Sequence, residues 1–349
     1  MRTFALLVFT FFGLTLAAQM QKGDRLLSLA NSGPLSELYT PAVEAFNVGQ
    51  LFHIPSGPAT LLYLAPEYGF LLSDRFALGG QLTFLYGSDI DAAYSLSPYA
   101  RYYLMNQPDL MAFVQVSSII DNGITNSRDG VTAFNIVTAT AGVQLPLGRG
   151  ALLTPALSYS MTEGRNVINA GVGVELVLGR NNRSEEGAVA SFGKGSIMLG
   201  GTFANLSYLE SFWGGDLSLG GHYFLNERLA LGLGASYGFT RLKYSNTSGD
   251  FTYKTSNITF SLVPRVYLST QKHLVWYVDG GVHYRRSGQS FGTGGDTSSN
   301  GRFSLGLGGG AQIFVRDNVA LEIGPQYRYF FDDENFGLLG LNVGVRYFL

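Results

Sequence analysis

The chain has no cysteine among its 349 residues. That absence excludes a disulfide framework, a lipid-modified cysteine and thiol chemistry. Charge is scarce: Asp, Glu, Lys and Arg together make 14% of the chain, against about 25% in a soluble domain. The net charge is −2, so no basic face for nucleic acid is implied. The histidines His53, His222, His273 and His283 lack the spacing of a zinc site. No cofactor is expected. Beyond the first residues no apolar run reaches the roughly 20 residues of a membrane-spanning helix, which excludes a helical membrane protein.

Glycine and aromatic residues are abundant. Gly occurs 46 times and aromatics make 13% of the chain. Glycine is nearly twice its usual share of about 7%. Much Gly, Tyr and Phe with little charge fits strands in contact with lipid. The opening "MRTFALLVFTFFGLTLAAQ" has the charged, apolar, small-residue order of a secretory signal peptide. Residues 1–18 are expected to be removed, and the mature chain exported.

Alternation of apolar with small or polar residues dominates the rest. The run "GLLGLNVGVRYFL" (337–349) puts Leu339, Leu341, Val343, Val345, Tyr347 and Leu349 on one face. Gly340, Asn342, Gly344 and Arg346 fall on the other. Side chains of a strand alternate faces, so one face is greasy and one polar. "RLALGLGASYGFT" (228–240), "NITFSLVPRVYL" (257–268) and "FSLGLGGGAQIFV" (303–315) repeat the pattern. These runs match the roughly 9 to 11 residues of a tilted transmembrane strand. Tight connections such as "SDR" (73–75), "MNQPD" (105–109), "LNER" (225–228) and "STQKH" (269–273) alternate with longer polar ones. The longer ones include "DNGITNSRDG" (121–130), "SGQSFGTGGDTSSNG" (287–301) and "FDDENFG" (331–337). Short periplasmic turns and longer extracellular loops are the pattern of a transmembrane β-barrel.

The pattern occurs twice. "SPYARYYLMNQPDLMAFVQV" (97–116) aligns with "VPRVYLSTQKHLVWYVDGG" (263–281), so that Arg101 matches Arg265. "GVELVL" (173–178) matches "GVRYFL" (344–349), and "QKGDRLLSL" (21–29) matches "GKGSIMLGG" (193–201). The predicted organisation is a first barrel repeat over 19–180, a polar periplasmic linker over 181–194 and a second repeat over 195–349. Each repeat reads as about eight strands, within the normal range for such barrels. The expected fold is all-β, with two tandem eight-stranded antiparallel up-and-down barrels. One sixteen-stranded barrel is the alternative.

The signal peptide, the start "KGSIMLGGTFANLSY" and the end "GVRYFL" resemble small outer-membrane β-barrel proteins of the OmpA/OmpX-like kind, as found in Bacteroidota. The resemblance covers the mature chain once per repeat. It implies residence in the outer membrane and insertion by the barrel-assembly machinery, which reads the last strand. That strand usually ends on an aromatic residue, whereas here Leu349 follows Phe348.

By parity the inward face carries a polar network: Glu67, Arg101 and Glu175 in the first repeat, and Asp216, Arg265, Asp279, Glu322, Arg328 and Arg346 in the second. Gln81, Gln115, Gln144, His222, His283, Arg285 and Gln326 share that face. Charges in a narrow barrel must pair, and eight strands leave space for little beyond side chains. An internal salt-bridge plug is the leading reading. A polar conduit and a catalytic site are the others. On the closing strand, Leu341, Val343, Val345, Tyr347 and Leu349 are expected to face lipid. Interface aromatics are expected at Tyr102, Tyr223, Trp276 and Tyr347 near the periplasm, and at Tyr86, Tyr159, Tyr237, Phe239 and Tyr327 at the other end. The segment 32–60 is the least regular, and reads as a loop that enters the lumen, covers it or binds a partner. The leading function is non-enzymatic, structural or surface-interacting. A passive channel for small solutes is the alternative, and a lipid-modifying enzyme the third. Outer-membrane lipid is the expected partner; loop sequence identifies no surface ligand.

Overall fold

The computed structural model describes residues 20–28, 46–53, 60–64, 66–87, 90–121, 132–148, 150–162, 165–178, 192–200, 204–209, 212–246, 249–269, 274–291, 296–316, 318–331 and 337–349. The signal peptide and most of the linker and loop segments named above lie outside the described residues. All regular structure among them is strand. The first repeat holds β1 (Arg25–Ser28), β2 (Phe46–His53), β3 (Thr60–Leu64), β4 (Glu67–Ser73), β5 (Phe76–Gly87), β6 (Ile90–Asn106), β7 (Met111–Asp121), β8 (Thr132–Gly148), β9 (Ala151–Thr162) and β10 (Arg165–Leu178). The second holds β11 (Ile197–Gly200), β12 (Ala204–Leu209), β13 (Phe212–Phe224), β14 (Leu229–Asn246), β15 (Gly249–Tyr267), β16 (Leu274–Phe291), β17 (Asp296–Arg316), β18 (Val319–Phe331) and β19 (Gly337–Phe348).

Both repeats close at the end that carries the tight turns, here called the floor. One ring runs β1, β4, β5, β6, β7, β8, β9, β10 and back to β1. The other runs β11, β13, β14, β15, β16, β17, β18, β19 and back to β11. Each is a closed eight-stranded antiparallel barrel, which removes the unpaired edges that lipid would penalise.

Pairing changes at the opposite end, the mouth. There β10 pairs with β12 of the second repeat, Ile168 to Val172 lying against Tyr208 to Ala204. Likewise β19 pairs with β2 of the first repeat, Leu339 opposite His53 and Leu341 opposite Leu51. β2 continues the sheet through β3 to β5, and β12 continues it to β13. The mouth circuit is therefore β2, β3, β5 to β10 and β12 to β19, sixteen strands that belong to both repeats. Two small barrels share one mouth. The two expected architectures thus occur in one molecule, at different heights. The segment 32–60 is corrected in part: 46–53 forms strand β2, which the shared mouth requires. The stretch 287–301 is also largely strand, because β16 and β17 extend to Phe291 and from Asp296.

Burial follows the period of two. Exposed on the outer wall are Tyr102, Val114, Val116, Leu157, Tyr159, Leu217, Leu219, Tyr223, Leu233, Tyr237, Phe260, Leu262, Trp276, Leu305, Leu307, Ile323 and Tyr327. The closing strand departs from expectation. Val345 and Tyr347 point outward but are fully buried, with relative exposures of 0% and 2%. They pack with Val319 against Ala151, Val174 and Leu176 of the first barrel. A greasy outer face meets a second greasy outer face here, not lipid, and Tyr347 is a seam residue instead of an interface aromatic. Leu349 stays exposed, and Leu341 and Val343 are half-buried.

Candidate functional site

The two lumens are the site that parity points to. In the second barrel β15, β16, β18 and β19 each bring one charged residue to a common level. Glu322 accepts from Arg265 Nη1 at 2.6 Å, from Gln312 Nε2 at 2.6 Å and from Arg346 Nε and Nη2 at 3.0 Å each. Arg265 also donates to Asp279 Oδ2 from Nε at 3.0 Å and from Nη2 at 2.6 Å. The guanidinium lies 3.8 Å from the centroid of Tyr277. Two arginines and two carboxylates thus form one compact cluster. Such geometry offsets desolvation only when charge-assisted bonds satisfy nearly every group, as they do around Glu322.

The first barrel repeats the design with fewer charges. Arg101 Nη1 lies 2.8 Å from Glu175 Oε1. Arg101 Nε donates to Gln115 Oε1 at 2.8 Å, and Gln144 Nε2 donates to Glu175 Oε2. Phe113 stacks on the guanidinium, 4.3 Å from its ring centroid. The inserted arginine is the same in both repeats, while Gln115 stands where the second repeat has Asp279. Glu67 shares this lumen, in register with Ser28, whose other neighbour is Glu175. Asp216 lies toward the mouth on β13, opposite Gly238. Arg328 is buried opposite Gly306, beside a cavity of about 50 Å³ that His222, His283, Arg265 and Arg346 also line. That volume holds a few waters. His283 Nδ1 is 2.9 Å from Ser261 Oγ, and both residues are buried. His222 is fully buried with no hydrogen-bond partner at either ring nitrogen among the described residues.

A second obstruction lies below each cluster, and sequence reasoning missed it. Phe192, from the end of the predicted linker, enters the floor of the second barrel. Its ring sits 5.0 Å from Tyr267, 5.5 Å from Phe224, 5.6 Å from Phe348 and 5.7 Å from Phe314, centroid to centroid. Met20 takes the matching place in the first barrel, buried with Leu26, Leu71, Tyr103, Met111 and Val177. The same turn sets both corks. Gly23 and Gly195 have φ of 93° and 97°, a left-handed geometry that glycine adopts without strain. Gly23 N donates to Leu71 O and Gly195 N to Phe224 O, each at 2.9 Å. Asn106 fastens the first cork by donating from Nδ2 to Met20 O at 2.9 Å. The signal was available: an apolar residue stands two positions before Lys-Gly in both repeats.

Closed antiparallel rings with a greasy outer wall, aromatic ends and a charged, filled lumen define a transmembrane β-barrel, built here as two small barrels on one chain. The family described as outer membrane protein beta-barrel domain matches residues 184–347, which is the second repeat with its cork. No curated protein matches the chain. Among solved structures, a bacterial polysaccharide outer membrane secretin is similar over 94% of this chain and 98% of its own, at 10% identity and a TM-score of 0.48. The N-terminal barrel domain of Pseudomonas aeruginosa OprF is similar over 45% of this chain and 99% of its own, at 16% identity and a TM-score of 0.29. The attachment invasion locus protein Ail of Yersinia pestis gives the same coverage at 19% identity and a TM-score of 0.26.

Proposed function

We propose that the protein is a non-enzymatic outer-membrane barrel that presents a shared mouth at the cell surface over two sealed floors. Its role is structural or surface-interacting. Export by cleavage after residue 18 and insertion by the barrel-assembly machinery belong to this reading. The observation that carries it is the double block in each lumen: an ion cluster above an apolar cork. Glu322 and Asp279 hold Arg265, Glu322 also holds Arg346, and Gln312 braces Glu322; a narrow lumen of this kind passes no solute. The mouth supports contact with surface ligands, because sixteen strands enclose far more space than eight. Planar-bilayer recording of the full chain tests the reading. A quiet trace is expected at moderate voltage. A large, stable conductance would overturn it in favour of a passive channel.

A further inference from the structure

The outer wall of the second barrel carries a row of cations that the closed-lumen reading does not use. On β14, Arg241 and Lys243 follow Phe239 toward the mouth, and both are exposed. Arg241 lies directly opposite Lys254 on β15, and directly opposite Trp213 on β13. Lys243 is the diagonal neighbour of Lys254. On β16, Arg286 lies two residues beyond Tyr284 toward the mouth, and is exposed. Residues paired across strands share a face, and Trp213, Tyr237 and Ile258 on this face are exposed outer-wall residues.

Beside and below the cations runs an aromatic row. Trp213 and Phe239 are 4.8 Å apart, Tyr237 and Phe239 6.0 Å, and Tyr284 and Phe303 4.8 Å, centroid to centroid. Aromatic rows sit at headgroup level. Arg241 and Arg286 stand about 7 Å further along their strands than Phe239 and Tyr284 by strand rise, and with Lys254 opposite Arg241 they fall where lipid phosphates lie. Like charges directly opposite in a sheet repel, so Arg241 and Lys254 together are unfavourable unless an anion joins them. Among residues whose side chains are described, no carboxylate shares this part of the wall. Asp250 sits at the hairpin tip, opposite Ser245. In the first repeat the exposed outer-wall residues of β6 near the mouth are Tyr94 and Leu96, and Ile120 of β7 lies opposite Leu96, with no cation among them.

We infer that Arg241, Lys243, Lys254 and Arg286 form a binding site for a phosphate-bearing lipid headgroup of the outer leaflet. Trp213, Phe239 and Tyr284 hold the adjoining sugar or glycerol and the upper acyl chain. Arg241 supplies the planar fork suited to phosphate, and the lysines act as point charges.

Native mass spectrometry of the full chain in detergent tests the site, with a phosphorylated glucosamine lipid and its dephosphorylated form as probes. Retention of the phosphorylated probe at one per chain is expected. Arg241→Gln with Lys254→Gln should weaken it about tenfold, while heat-modifiable migration stays unchanged. In lipid-free detergent that double variant should be no less heat-stable than the parent, because a repulsive pair is lost. Inorganic phosphate at millimolar concentration should not displace the lipid. Equal binding of the two probes, undiminished binding by the double variant, or displacement by inorganic phosphate would overturn the proposal.

Discussion

Glu322 shows how much of the second lumen depends on one side chain. It accepts from Arg265, Gln312 and Arg346, and its side chain is 5% exposed. Replacing it with Ala leaves two buried guanidinium groups with one remaining carboxylate, Asp279. Breaking a buried ion pair from one side costs about 3–5 kcal/mol. Glu322→Ala is expected to lower the temperature of heat-modifiable unfolding clearly, while Glu227→Ala in the exposed floor turn should leave it unchanged. Phe192→Ala belongs beside it. Removing a buried Phe costs about 3–5 kcal/mol, and the cork packs on four rings. Its effect should match that of a core substitution, although the residue sits before the first strand of its barrel. An unchanged melting temperature for Phe192→Ala would remove the cork from the account.

The inward charges were legible because a strand period of two leaves little choice. Arg101, Arg265, Glu322 and Arg346 stand at polar positions in otherwise greasy runs, and all four are buried in the lumens. Which of them pair was not legible, since cross-strand partners depend on register. The corks were legible only in retrospect, as Met20 and Phe192 lie outside any alternating run.

At the scale of elements, the closing strand divides into two environments. Val343 faces outward beside Ile323 and is half-buried, whereas Val345 is sealed against the first barrel. An Arg on the lipid face costs about 2–4 kcal/mol at mid-membrane and less near the interface, where it reaches headgroups. An Arg at Val345 has no such escape, and an unpaired charge in a dry contact is worse. Val345→Arg should therefore reduce folding yield into lipid vesicles more than Val343→Arg. Equal yields would show that the seam is open to lipid or water. Sequence could not separate these two valines. Lipid and a neighbouring barrel select the same apolar side chains, so alternation reports that a face is greasy and not what covers it.

At the scale of the whole molecule, the repeat was legible and the shared mouth was not. The first strand of each repeat pairs with its own last strand at the floor: β1 with β10, and β11 with β19. At the mouth each changes partner, β2 joining β19 and β12 joining β10. Both arrangements satisfy the same alternation and bury the same backbone groups, so no periodicity distinguishes them. The exchange also makes the halves interdependent, because either half alone leaves two mouth edges unpaired, a cost that lipid makes large.

Cysteine cross-linking tests that exchange directly, in a chain that has no cysteine of its own. In the shared mouth Ala170 on β10 lies opposite Leu206 on β12. If each barrel instead closed on itself along its full height, Leu206 would face Leu341. That partner follows from continuing the β11–β19 register through the one-residue shift that separates β11 from β12 along β13. The pairs Ala170→Cys with Leu206→Cys, and Leu206→Cys with Leu341→Cys, can be oxidised in the membrane after a protease site is cut within 181–191. A bond between residues 170 and 206 that holds the two fragments together until reduction is the predicted result, with no bond between 206 and 341. Efficient joining of 206 to 341, with the fragments separating freely in the first variant, would contradict the shared mouth.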